Sequence, residues 1–383
     1  MKEYKYSAHT ERVARSSGAI MDIKPVIKRG IKRIIQRGAN TLGYEISWRR
    51  QPPSLKRQPS LKRQFFEASP KFFDAVPKLP VPSKEQIDAI ANRAFDPDYW
   101  RRLNPELSID GSGERSAGLD IQVLKPKEIE KQIRKLRSEG YFQTNPALSS
   151  STTDKMRVCV ERLRRERWPA TFSFVYDEFW DIARVSSLTE IVTEFLGAEY
   201  RLASSFFTFY VLPRDGAGGF PPHADCPGNA TSRLTVWIPL SDATVDNSCM
   251  YLIPQDRVFS AGLNDFLRRN HVTPIELGCL LWATKALPAA AGSLLGWNGE
   301  IVHWGSIASD SAHPRISVTF DFVGAGAEAG PDERLLDPIC RFSFSQRIRL
   351  ICESISGYDI PFREPLDPIY RGLVERIKET ISF

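Results

Sequence analysis

An antiparallel β core of jelly-roll type with helices before and after it, α+β overall, is the fold that the sequence predicts. Three observations carry that expectation. The segments RLTVWIPL, MYLI, GSLLGW, IVHW and RISVTFDFV are short, apolar and bounded by Gly, Pro, Asp or Asn, as strands are. They mostly follow one another without helical patterns between them, which favours an antiparallel sandwich over a parallel sheet. Helical periodicity gathers instead in the stretch before residue 199 and in the last 50 residues.

At 383 residues the length allows two to three domains, and a hydrophobic content of 42% suffices for a sizeable core. The chain divides by composition into four parts. Residues 1–65 form a basic arm with little regular order, 66–198 a helical lead-in, 199–330 the jelly roll, and 331–383 C-terminal helices packing on it. Residues 1–64 hold 16 Lys+Arg against 4 Asp+Glu, a net of +12, and the remainder holds 36 against 42, a net of −6. Within the arm, Ile23, Ile27, Ile31, Ile34 and Ile35 recur at helical spacing among lysines and arginines. Such a helix lies on an anionic membrane, binds nucleic acid, or packs on its own protein, and the pattern alone leaves these open. The repeat PSLKRQ at 53–58 and 59–64 reads as an extended, solvated spacer.

From Pro82 the helices begin. In SKEQIDAIANRAF, Ser83 is an N-cap with Gln86 three residues on. KPKEIEKQIRKLRSEGYF closes at Gly140, a residue suited to the left-handed position past a helix end. DKMRVCVERLRRERW and SLTEIVTEFLG add two more, and the aromatic run ATFSFVYDEFWDIARV between them reads as core. The insertion 258–290 is expected to supply a helix and loop flanking the mouth, and FSFSQRIRLICESIS and PIYRGLVERIKETI close the chain as helices. No apolar run reaches the ~18 residues of a membrane span. The opening MKEYKYSAHTERVARSS lacks the apolar region of a signal peptide. Six scattered cysteines without a C-x-x-C pair point to reduced thiols and a cytoplasmic protein.

The chemistry concentrates in His223-Ala224-Asp225. On a strand, residues two apart share a face, so an imidazole and a carboxylate point together. His303, 80 residues downstream in GEIVHWGS, is the candidate third ligand. Two histidines and one carboxylate with open positions make the facial triad of non-haem Fe(II) oxygenases, whereas structural zinc wants a closed fourth ligand. Twelve residues past His303, Arg315-Ile316-Ser317 opens a strand with a guanidinium fork able to hold a dicarboxylate end-on. The other histidines are placed less well: His313 precedes Pro314 in a turn, His271 lies in the insertion, and His9 in the arm.

In these residues, with LTVWIPLSDATVDNSCMYLIPQDR and AGSLLGWNGEIVHWGS around them, the chain from about Phe172 to Val323 resembles the phytanoyl-CoA dioxygenase family. The resemblance implies a cupin-like double-stranded β-helix and an oxygenase using Fe(II), 2-oxoglutarate and O2, with succinate and CO2 released. It implies metal ligands at His223, Asp225 and His303, and a 2-oxoglutarate clamp at Arg315 with Ser317. Thr235 and Trp237, on the strand after the H-x-D stretch, and Tyr210 and Thr208, on the strand before it, are further candidates for the co-substrate pocket. Asn298 and Trp304 flank the second histidine strand as candidate supporting groups. In this family a Gly or Ala at position 225 leaves room for halide, so Asp225 implies hydroxylation or another oxidation.

The expected substrate is a small molecule, lipid- or sugar-linked. Peripheral contact with anionic membrane, at the inner face, is expected through residues 22–64 if the arm has that role. An oxygenase acting on nucleic acid would want a basic channel, and the body is acidic. A non-catalytic jelly-roll binding module is the other alternative, and the complete set of four site residues argues against it.

Overall fold

The computed structural model describes residues 80–109, 119–226, 231–257, 274–309, 313–330, 333–357 and 367–380. All of these fall within the unit Pro59–Phe383. The arm, with its isoleucine helix and its PSLKRQ repeat, lies outside the described residues, as do His9 and His271.

The helical lead-in forms where the caps and periodicity place it. Helix α1 (Lys84–Ala94) opens on a capping box, with Ser83 Oγ accepting from Gln86 N and Gln86 Oε1 accepting from Ser83 N. Helix α2 (Pro97–Leu103) follows at once, started by the Asp96 side chain and by proline at its first position. Helix α3 (Pro126–Glu139) buries Ile129, Ile133 and Leu136 and stops at Gly140, whose φ of 81° any Cβ would resist. The chain then enters β1 (Tyr141–Pro146), which its irregular polarity had hidden. Helix α4 (Ser150–Arg165) is capped by Ser149 Oγ, accepting from Thr152 N.

The aromatic run is core, as its composition predicts. It folds as 3-10 turns around the short α5 (Asp177–Asp181), and Phe172, Phe174, Phe179 and Trp180 are at most 3% exposed. Each such side chain contributes about 1.5–3 kcal/mol by leaving water. After α6 (Ser186–Leu196) come β2 (Arg201–Ala203), β3 (Phe207–Val211), β4 (Arg233–Pro239) and β5 (Met250–Leu252). The described part of the insertion is α7 (Pro274–Ala283) and β6 (Lys285–Leu287). Then follow β7 (Ser293–Asn298), β8 (His303–Gly305), β9 (Arg315–Val323), β10 (Leu335–Leu336), α8 (Phe344–Gly357) and α9 (Pro368–Thr380). Arg347 of α8 is 2% exposed, donates to Val175 O at 2.9 Å and pairs with Asp177, pinning the C-terminal helices to the aromatic run.

Two antiparallel sheets form the jelly roll. The larger has the order β1-β7-β4-β9-β2-β10, with β3 joining β9 beyond β2 on the same edge; the smaller is β6-β5-β8. Strand β9 is buried along its whole length, and period two divides it. Ile316, Val318, Phe320 and Phe322 belong to the large core under the helices. The opposite parity, Arg315, Ser317, Thr319 and Asp321, faces the space between the sheets. Strand β4 divides in register with it: Leu234, Val236 and Ile238 join the helix-side core, while Trp237 joins the inter-sheet cluster with Leu252, Leu295 and Trp297. A buried strand with polar residues at every second position thus marks which face carries chemistry.

Candidate metal centre

His223 and His303 are brought together by the backbone. The segment 218–223 runs beside 303–307, bridged at Gly218–Ile307 and at His223–His303. At the second bridge the two histidines exchange both main-chain hydrogen bonds, His223 N→His303 O at 3.1 Å and His303 N→His223 O at 2.9 Å. Directly opposed residues share a face, and the ring centroids lie 4.3 Å apart. The expectation of a regular strand through H-x-D is corrected here, since only single bridges hold it and Asp225 sits in the bend that follows. Two glycines make the approach feasible: a Cβ on Gly219 would stand 2.7 Å from Gly305 Cα, and one on Gly305 would stand 2.6 Å from Gly219 Cα.

The imidazoles are oriented from behind. His223 Nδ1 lies 2.7 Å from Pro221 O, and His303 Nδ1 lies 3.0 Å from Ile301 O. A carbonyl only accepts, so in each neutral ring Nδ1 carries the hydrogen and Nε2 presents a lone pair. Burial first, with His223 adding to it against the pull of Asp225, brings the His303 pKa down to about 4, so its ring is neutral at neutral pH. Asp225 closes the cluster, with His223 Nε2 3.4 Å from Oδ1 and His303 Nε2 3.7 Å from Oδ2. Burial works to raise the Asp225 pKa, but His303, His223 and Thr235 outweigh it and hold the group well below the usual carboxylate range. One ligand atom from each residue lies within 4.8 Å of the others. Lone pairs converging in this way repel unless a cation stands among them, and imidazole plus carboxylate is the donor set that Fe(II) takes.

Asp225 Oδ2 accepts from Thr235 Oγ at 2.8 Å and from Trp297 Nε1 at 3.1 Å. Thr235 therefore stands on the predicted face, with its hydroxyl turned to the Asp225 carboxylate. Trp237 is on that face too. The Arg315 guanidinium carbon lies 5.5 Å from the Trp237 ring and 5.3 Å from that of Phe209, and Gly219 passes across it. Arg315 is 2% exposed and donates from Nη1 to Ser317 Oγ at 3.3 Å, so the two residues of R-x-S do converge. Beside them Thr319 Oγ is buried without a hydrogen-bond partner among the described residues. A planar cation between aromatic walls, with an unsatisfied hydroxyl on the same inner face, fits a polar, anionic ligand such as 2-oxoglutarate.

Tyr210 and Thr208 are corrections. Tyr210 is in register with Ile316 and Thr208 with Val318, which places both on the helix side. There Tyr210 lies under the Arg164 guanidinium at 4.3 Å, and Thr208 Oγ meets Ser173 Oγ at 2.7 Å. The intervening Phe207 and Phe209 face inward and pack against Phe220, which packs on His223. In FFTFYV both parities look apolar, so the sequence does not say which one faces the site. Asn298 and Trp304 are also elsewhere: Asn298 holds the turn through Glu300 N and Gln255, and Trp304 stacks on Tyr251. Trp297, one residue from Asn298, makes the contact to Asp225. Asp321, Thr319 and the inward phenylalanines were missed, although R-x-S-x-T-x-D already extends the polar parity to Asp321.

The family model for phytanoyl-CoA dioxygenase (PhyH) matches residues 123–317, more than half of the chain. Among solved structures, the chain is similar to the non-heme α-ketoglutarate-dependent epimerase SnoN from nogalamycin biosynthesis, at 18% identity and a TM-score of 0.43, over 56% of this chain and 86% of that one. It is similar to the carbocyclase SnoK of the same biosynthesis at 19% identity and a TM-score of 0.41, over 56% and 91%. HygX from Streptomyces hygroscopicus, with nickel and 2-oxoglutarate bound, gives 13% identity and a TM-score of 0.40, over 53% and 88%. No curated protein matches the chain.

Proposed function

Because the chain belongs to the phytanoyl-CoA dioxygenase family, and is an Fe(II)- and 2-oxoglutarate-dependent enzyme, we propose that it hydroxylates or otherwise oxidises a small, lipid- or sugar-linked substrate. In this reading His223 Nε2, Asp225 and His303 Nε2 hold the iron, and Arg315 with Ser317 holds the distal carboxylate of 2-oxoglutarate. When bound, the iron with 2-oxoglutarate and O2 supplies the oxidising power, and succinate and CO2 leave. The carbonyls of Pro221 and Ile301 keep each Nε2 free of hydrogen. Thr235 and Trp297 fix the carboxylate. Phe209 and Trp237 wall the guanidinium, and Phe220 packs on His223.

The observation that carries the assignment is the convergence of three acceptor atoms within 4.8 Å. Replacing Asp225 by Ala is expected to weaken Fe(II) binding and abolish succinate release. Unchanged stoichiometry and affinity in an anaerobic Fe(II) titration of that variant sinks the ligand set. Substrate identity is approached by following succinate release across candidate metabolites.

An apolar part in the substrate is supported by α7. Its Leu280 and Ala283 pack with Ala224, Val302 and Trp304, beside the proposed ligands, while Leu277, Leu281 and Trp282 are 47%, 67% and 64% exposed. Apolar surface of this kind next to a site marks a binding face. No helix among the described residues is long and apolar enough to cross a membrane. A cytoplasmic enzyme, touching anionic membrane through residues 22–64 at its inner face, is the arrangement we favour.

A further inference from the structure

Thr235 Oγ stands 2.8 Å from Asp225 Oδ2 and also 2.8 Å from Asp321 Oδ1. A hydroxyl carries a single hydrogen and donates to only one of them. If both carboxyl groups were ionised, the other contact would set lone pair against lone pair in a buried site, where an unmade hydrogen bond costs most. Both Thr235 contacts are made when one of these two carboxyl groups carries a proton. Asp225 faces the two imidazoles and already accepts from Trp297, which suits the ionised form. Asp321, 9% exposed, lies opposite Thr235 in the β4–β9 ladder. Its other oxygen is 2.8 Å from Ser205 Oγ, which is in turn 3.1 Å from Glu333, the partner of Arg233. Burial first, and then the charge of Asp225, push the Asp321 carboxyl above the usual carboxylate range.

We propose that Asp321 is a protonated positioning residue: its Oδ1–H donates to Thr235 Oγ, whose own hydrogen then donates to Asp225 Oδ2 and holds that carboxylate in place for the metal ion. The proposal rests on the reading of Asp225 as a metal ligand. It assigns Asp321 a hydrogen bond to give, and the carboxylate's charge plays no part in it.

The test is anaerobic Fe(II) titration of the full-length protein against a chromophoric chelator, without 2-oxoglutarate. Thermal melts of the metal-free proteins run alongside. Thr235→Val and Asp321→Leu are expected to weaken Fe(II) binding roughly 10- to 100-fold. Thr235→Ser and Asp321→Asn, which keep a hydroxyl and a donor, are expected to bind as the wild type does. Asn and Leu both remove the carboxyl group, so a merely electrostatic or space-filling role would not separate them in this way. Wild-type affinity in Thr235→Val, or equal losses in Asp321→Asn and Asp321→Leu, overturns the proposal. Should Asp321→Leu not fold, weakened Fe(II) binding in Asp321→Asn overturns the proposal by itself. Asp225→Ala separates the two readings: unchanged affinity there removes the ligand assignment, whereas a loss there with none in Thr235→Val removes only the brace.

Discussion

Arg315→Lys tests the co-substrate end of the site most directly. The substitution keeps a positive charge on β9 but replaces a planar fork with a point charge. Arg315 is 2% exposed, its guanidinium carbon sits 5.3 Å from Phe209 and 5.5 Å from Trp237, and it donates to Ser317. A carboxylate held by that fork takes two parallel charge-assisted hydrogen bonds, and lysine offers one of comparable geometry. The loss is about 1.5–3 kcal/mol, one charge-assisted bond in a dry setting. That converts to roughly a 10- to 150-fold fall in 2-oxoglutarate affinity. Fe(II) affinity without 2-oxoglutarate is expected to hold, because the histidine and Asp225 contacts do not include Arg315. Anaerobic titration of 2-oxoglutarate into the Mn(II)-loaded protein, followed by tryptophan fluorescence, reads the first quantity; Fe(II) titration reads the second. Equal losses in both, or an unaltered 2-oxoglutarate affinity, would refute the clamp.

Three further outcomes are expected. Gly305→Ala sets a Cβ 2.6 Å from Gly219 Cα, so the two bridged segments must part, lowering stability by about 1–3 kcal/mol and weakening Fe(II) binding; denaturant unfolding and metal titration check both, and no change in either counts against the close approach. Burial pushes Glu178 from 4.5 up to about 7, so between those pH values the folded chain holds a proton that the unfolded chain has lost, and stability, greatest below pH 4.5, falls by about 3 kcal/mol as pH rises to 7; Glu178→Gln should flatten that slope in denaturation midpoints measured across the range, and parallel profiles reject it. A chain starting at Phe65 is expected to keep 2-oxoglutarate turnover and to lose binding to anionic vesicles, at roughly 1 kcal/mol per basic residue removed from the surface; full-length protein that ignores such vesicles at low salt ends the membrane reading.

Much of the candidate site was legible because the chemistry it suggests lies in residue type and order. H-x-D, a later strand histidine and R-x-S name a donor set and an anion clamp whatever the exact backbone path, and capping residues such as Ser83 and Gly140 act locally. Strand parity also placed Thr235 and Trp237, Arg315 and Ser317 correctly in pairs, because period two is a property of any strand. Which parity of β3 faces the site was a different matter. Phe207, Phe209 and Tyr210 all suit burial, and only pairing with β9 puts Tyr210 under the helices and the phenylalanines inside. The joining of His223 to His303 by a single exchanged hydrogen-bond pair, rather than by a ladder, likewise depended on segments 80 residues apart. So did the bracing of Asp225 by Thr235, Trp297 and, through Thr235, Asp321, which β4, β7 and β9 supply from separate parts of the chain. Residue type alone pointed to a metal-ligand set and an anion clamp as the chemistry of the candidate site. Tertiary structure decided which side chains share one oxygen or one face, because a face is chosen by whichever strand pairs across it.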